Sequence, residues 1–127
     1  MDKVVHFEIP AGDMARAKKF YQDMFGWELV DIPGMEYVIA HTVAIDKDNM
    51  PLEPGVINGG ITKRIPTEKN PVIVIDVPSV DDYVKKIVKA GGKVVAPKQE
   101  VMQMGLYARV ADTEGNVIGI WENIKKP

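Results

Sequence analysis

A pattern of strand, helix and three strands runs through this chain twice, and the step from His6 to Val72 sets the offset at 66 residues. In the first copy, Val4 to Ile9 alternates. Val5, Phe7 and Ile9 share one face, and Val4, His6 and Glu8 the other, as in a half-buried strand. Pro10 ends it, and Asp13 is placed to cap a helix. Met14, Ala17, Phe20, Tyr21, Met24 and Phe25 recur at helical spacing, while Lys18, Lys19, Gln22 and Asp23 form the wet face. Gly26 is a suitable stop. Trp27–Asp31, Tyr37–Ile45 and Val56–Ile61 read as three extended segments, separated by a Pro33-Gly34 turn and a polar loop from Asp46 to Gly55.

The second copy opens on the apolar run Val72–Val77. Ser79 and Asp82 have capping-box spacing, and Val80, Tyr83, Val84, Ile87 and Val88 make the helical stripe, stopped by Gly91-Gly92. Lys93–Pro97, Leu106–Ala111 and Asn116–Asn123 follow as strands, with a tight turn at Asp112–Gly115. The same offset carries Met14 to Val80, Tyr21 to Ile87, Gly26 to Gly92 and Leu29 to Val95. Few residues are identical, so what repeats is the pattern; two unrelated α+β segments are the alternative. The expectation is a single α+β domain over residues 1–127, with two βαβββ modules at 1–63 and 71–127 and a linker at 64–70.

A chain of 127 residues buries roughly two thirds of its unfolded surface, and 46% hydrophobic residues suit a globular core. A net charge of −2 argues against a nucleic-acid partner. No cysteine is present, which excludes disulfides, thiolate metal sites and a cysteine nucleophile. Met1-Asp2-Lys3 has no signal-peptide character, and no apolar run approaches the ~20 residues of a membrane span, so neither export nor a membrane partner is expected. A cytoplasmic location is compatible with these features.

The two copies together resemble the vicinal oxygen chelate superfamily, which includes glyoxalase I, bleomycin-resistance proteins, fosfomycin-resistance enzymes and extradiol dioxygenases. The resemblance rests on His6-Phe7-Glu8-Ile9, the run Gly12 to Tyr21, and Phe25-Gly26-Trp27. The second module adds Lys89-Ala90-Gly91-Gly92-Lys93-Val94 and Asp112-Thr113-Glu114-Gly115-Asn116. Asn58-Gly59-Gly60-Ile61 looks most like a glyoxalase-related branch, many of whose members have no assigned reaction. The implied fold is a pair of βαβββ modules forming a cupped mixed sheet. Metal-dependent members hold one divalent ion there, with ligands from the first and last strands of each module.

Carried onto this sequence, His6 matches the first-strand ligand of module one, and Val72 stands at the equivalent place in module two. Gly119 falls at the last-strand position that is usually Glu, and Gly60 is its best match in module one. A valine and two glycines offer no side-chain donor to a divalent ion. The usual metal site is therefore expected to be absent, with no cofactor. A noncanonical His6–Glu8–His41 site is the alternative, since Tyr37, Ile39 and His41 share a face. By the family match His6, Glu8, Val72, Val74 and Asp76 face the cup, with Tyr107, Arg109, Val117, Gly119 and Trp121. Ile73, Ile75, Ile118 and Ile120 pack beneath the helices.

Missing side chains at Gly60 and Gly119 would widen the floor of an aromatic and aliphatic small-molecule site lined by Tyr37, His41, Val72, Val74, Tyr107, Arg109 and Trp121. Plainer readings stand beside each. His6 suits a structural histidine as well as a catalyst, Tyr107 and Trp121 suit core or dimer contacts, and Arg109 suits an ion pair with Glu8 or Asp76. Met102 and Met104 suit a lid or a plain loop, and Lys125 and Lys126 a solvated tail. The leading expectation is a glyoxalase-related protein, homodimeric by resemblance, that binds a small organic molecule without the usual metal. A lyase or isomerase acting on a small carbonyl compound is the second reading. There His6 or Glu8 would be the base, and Arg109 or Tyr107 would stabilise oxyanion charge. A non-catalytic interaction module is the third.

Overall fold

The computed structural model describes residues 1–66 and 68–124; Lys125 and Lys126 lie outside the described residues. The chain forms two compact units, one from His6 to Pro71 and one from Met1–Val5 together with the chain from Val72 onward. Arg64 donates its backbone N–H to the Ala11 carbonyl at 2.9 Å.

Module one contains β1 (Lys3–Ala11), α1 (Met14–Phe25), β2 (Glu28–Asp31), β3 (Tyr37–His41) and β4 (Gly59–Lys63). From His6 onward β1 runs parallel to β4, β4 antiparallel to β3, and β3 antiparallel to β2. The Asp13 carboxylate accepts the Arg16 N–H at 3.0 Å and starts α1. Gly26, at φ 70°, ends it in the left-handed conformation that glycine adopts at little cost. Met14, Ala17, Tyr21 and Leu29 pack on a buried cluster of Ala11, Val38 and Ile61. The predicted apolar stripe is narrower than expected: Phe20, Met24 and Phe25 are 53%, 61% and 60% exposed. Phe20 and Phe25 instead sit at the outer side of an aromatic group that continues inward through Tyr21 and Trp27 to Phe7.

Module two contains β5 (Val72–Asp76), α2 (Val80–Lys89), β6 (Lys93–Val101), β7 (Gly105–Ala111) and β8 (Val117–Asn123). β5 runs parallel to β8, β8 antiparallel to β7, and β7 antiparallel to β6. Each module is thus a mixed four-stranded sheet with one helix, as the repeat predicted. The Ser79 hydroxyl accepts the Asp82 N–H, and Glu122 from β8 accepts the Val80 N–H at 2.8 Å, so the α2 start is capped twice. Ile75, Tyr83, Val84, Ile87, Leu106 and Ile118 pack on buried Val77, Val80, Ala108, Val110 and Ile120. Ile73 departs from expectation at 47% exposed.

Element limits also shift. β3 stops at His41 rather than Ile45, because the Asn58 side-chain oxygen takes the Thr42 and Val43 N–H groups out of any ladder, at 2.7 and 3.3 Å. β4 runs from Gly59 to Lys63. β6 continues past Pro97, which sits at a register irregularity between Ala96 and Gln99, where a missing N–H costs no ladder bond. Met102 and Met104 belong to a closed hairpin turn: the Met104 N–H bonds the Val101 carbonyl at 2.9 Å, and Met102 and Gln103 have φ of 52° and 57°. In the Asp112 turn the carboxylate accepts the backbone and side-chain N–H groups of Asn116 and the Glu114 N–H, which lowers its pKa from the ordinary value.

Candidate functional site

Alternation along β1 sends Phe7, Ile9 and Ala11 toward α1 and leaves His6 and Glu8 on the opposite face of module one. Glu8 is buried, at 7% exposure. His6 is partly buried, and burial lowers its pKa from 6.5 by penalising the imidazolium; the Glu8 charge acts the other way and is the smaller effect. Near neutral pH His6 is therefore an uncharged imidazole, able to accept a proton as well as donate a hydrogen bond.

Tyr37 reaches this pair from two strands away. On β3, buried Val38 and Ala40 face the core side, so Tyr37, Ile39 and His41 point to the His6 face. β4 lies between β3 and β1, which separates the two backbones by roughly 9–10 Å. The Tyr37 hydroxyl nevertheless lies 2.7 Å from His6 Nε2. It gets there by crossing Gly60. A Cβ at position 60 would stand 2.1 Å from Tyr37 Oη, 2.2 Å from Cζ and 2.5 Å from Cε1. The glycine is required because the ring occupies the space a side chain would take.

Module two repeats this device. Gly119 pairs with Val74 as Gly60 pairs with Glu8, so the two glycines hold the same place in the repeat. Tyr107 crosses Gly119 as Tyr37 crosses Gly60: a Cβ at 119 would meet Tyr107 Oη at 2.5 Å and Cε1 at 2.6 Å. The surroundings differ. Val72 and Val74, both buried, replace His6 and Glu8, and the Arg109 Nε–H donates to Tyr107 Oη at 3.2 Å. Trp121 stands directly across from Tyr107, lies over Gly105, and donates its Nε1–H to Asn123 Oδ1 at 2.9 Å. Asn123 in turn reaches Asp76 at 3.5 Å. In module two the structure thus brings together Val74, Tyr107, Arg109, Gly119 and Trp121 on the side away from α2.

His41 is placed elsewhere. Its Nδ1 lies 2.9 Å from Glu28 Oε1 on the neighbouring strand. Both line an open cavity of about 520 Å³ with Gly26, Thr42, Val43, Ala44 and Ile45. The Tyr37–His6 contact forms at the opposite end of β3, and no cluster of three or more potential metal-ligating His, Asp or Glu side chains occurs among the described residues. The donor trio His6–Glu8–His41 is not assembled.

These positions bear on the divalent ion that the fold family implies. Where its ligand would project, each module has a glycine covered by a phenol ring, and His6 Nε2 is engaged with one of those phenols. The residues present do not fit the usual ion. The tyrosine–glycine crossing was not legible in the sequence. Gly60 and Gly119 read there only as missing donors, and the diagonal reach of Tyr37 and Tyr107 depends on the register of β3 with β4 and of β7 with β8.

Comparison with known proteins fits this architecture. The family model described as the Glyoxalase/Bleomycin resistance protein/Dioxygenase superfamily matches residues 3–120. CFP32, a protein given a provisional glyoxylase name in Mycobacterium tuberculosis and Mycobacterium bovis, is 30% identical over 123 residues. That match covers 91% of this chain and 43% of CFP32, so the chain spans less than half the length of these relatives. Among solved structures, methylmalonyl-CoA epimerase from Mycobacterium tuberculosis aligns with a TM-score of 0.64 at 15% identity, over 96% of this chain and 88% of the epimerase. A superfamily member from Vibrio splendidus aligns at 0.61 and 14% identity, over 98% and 100% of the two chains. At those identities the structural likeness speaks for the fold alone. The family match across both modules, on top of the repeated βαβββ topology, establishes that the chain belongs to the Glyoxalase/Bleomycin resistance protein/Dioxygenase superfamily.

Proposed function

We propose that this protein binds a small organic molecule on the face of module one that carries His6, Glu8 and Tyr37, and does so without the divalent ion usual in its family. The observation that carries the reading is the Tyr37–His6 contact over Gly60. It joins a phenol and an uncharged imidazole beside a buried carboxylate, a compact set of hydrogen-bonding groups on a partly apolar surface. Untargeted mass spectrometry of protein purified without chelator tests it, with metal content measured on the same sample. A stoichiometric organic ligand that is lost in Tyr37→Ala is the expected result. Stoichiometric tightly held metal would overturn the metal-free part.

A second reading is a lyase or isomerase acting on a small carbonyl compound, with His6 as general base. The depressed basicity of His6 favours it, since a base must be uncharged at the working pH. An epimerase among proteins of the same fold is consistent with that class. His6→Ala should then abolish turnover while leaving the fold and most ligand binding in place. A protein that only sequesters its ligand has no turnover to lose.

A further inference from the structure

Module one retains two potential metal donors on one face, the His6 imidazole and the Glu8 carboxylate, with Gly60 paired directly beside Glu8. A carboxylate at position 60 would bring the donors to three. We infer that Tyr37 is the residue that closes this route: its ring fills the space where a side chain at 60 would begin, so module one is barred from a divalent ion by occupancy as well as by the missing donor. This inference rests on the metal-free reading above.

The steric argument concerns the whole ring and not the hydroxyl alone. Cζ and Cε1 lie 2.2 and 2.5 Å from the place of a Cβ at 60, and distances below 3.0 Å are essentially never seen for real Cβ atoms. The hydroxyl adds a 2.7 Å contact to His6 Nε2, which engages one of the two imidazole nitrogens, but the clash itself is made by ring carbons. Removing the hydroxyl should therefore leave the block in place, whereas removing the ring should lift it. Module two is an internal control. Its Tyr107–Gly119 crossing is built alike, but Val72 and Val74 stand in the places of His6 and Glu8 and supply no donors; Asp76 is the one carboxylate of β5 on that face, so clearing that ring should give no comparable gain.

The test measures Ni²⁺ binding to the chelator-stripped 127-residue chain by titration calorimetry, with circular dichroism to verify the fold. The variants are Gly60→Glu, Gly60→Glu with Tyr37→Phe, Gly60→Glu with Tyr37→Ala, and Gly119→Glu with Tyr107→Ala. Outer partners of metal ligands are worth about 10–100-fold in affinity, so a first-sphere donor set should gain at least about 100-fold. That gain is expected only in the Gly60→Glu/Tyr37→Ala protein. Should this protein fail to fold, Gly60→Asp with Tyr37→Ser carries the same expectation. Equal gain in Gly60→Glu alone or with Tyr37→Phe would overturn the blocking role of the ring. No gain in a folded Tyr37→Ala or Tyr37→Ser double variant would overturn the latent donor set. Tight stoichiometric Ni²⁺ in the unmodified protein would instead overturn the metal-free reading beneath both.

Discussion

The two modules share a backbone plan and differ in what they place around one repeated contact. In both, a tyrosine crosses a glycine on the adjacent strand. In module one the phenol meets an imidazole, with a buried carboxylate nearby; in module two it meets a guanidinium, beside two buried valines. The crossing is therefore a structural element of the repeat, while the imidazole and the buried carboxylate stand in one copy only. A polar pair inherited by both copies would have favoured a symmetric function. The pattern here instead sets an imidazole and a buried carboxylate in module one against a guanidinium and two buried valines in module two.

The comparison can be broken first at the cores. Ile61 and Ile120, each almost fully buried, anchor the two modules. Replacing either by Ala should cost about 2–5 kcal/mol of unfolding free energy, measured by urea denaturation. Markedly unequal losses would show that one module carries the stability of both.

The glycine crossings come next. Gly60→Ala and Gly119→Ala should each cost about 1–3 kcal/mol through overpacking, with the larger loss at 60, where the clash is closer and the ring is tied to His6. Tyr37→Ala should relieve the first and Tyr107→Ala the second. Double-mutant cycles read the coupling, and coupling near zero would sink the crossing as described.

Acid should separate the modules further. The folded-state pKa of His6 lies below its unfolded value, so the unfolded chain binds the extra proton first. Stability from this site is then fully present above about pH 6.5 and falls as pH drops from there through the folded pKa. His6→Val, which copies Val72 into module one, should remove that component. A melting-temperature profile from pH 5 to 8 compares the two proteins, and an unchanged acid slope would show that other groups set it.

The smallest effect concerns the hairpin turns. The β2–β3 connection uses Gly34 at φ 79°, but the β6–β7 turn puts Met102 and Gln103 in the same left-handed region. Met102→Asn with Gln103→Gly should stabilise by a few tenths to about 1 kcal/mol, since these residues enter that region with less strain. A loss instead would mean that the exposed Met102 side chain makes a contribution that the turn geometry does not reveal.

Much of the fold was legible in the sequence because periodicity, caps and stops recur in the same order. Asp13, Gly26 and Ser79 act at the helix ends where their chemistry suggested. Element limits were less legible where a side chain competes with the ladder. Asn58 ends β3 early, and a bulge lets β6 pass Pro97. Helical spacing marked Phe20, Met24 and Phe25 as apolar but could not tell the core-facing arc from the exposed one beside it. At the site, alternation placed His6 with Glu8. It gave no hint that Tyr37 would lean across a strand, because a diagonal contact needs both register and an empty neighbour.

The same crossings leave a spectroscopic mark. At Gly60 and Gly119 the hydrogen that stands where a side chain would begin lies against a phenol ring. Circulating ring electrons should displace its proton resonance from the usual glycine range. Each module thus carries its own built-in chemical-shift label, and the two can be followed separately in one spectrum while a ligand is titrated in.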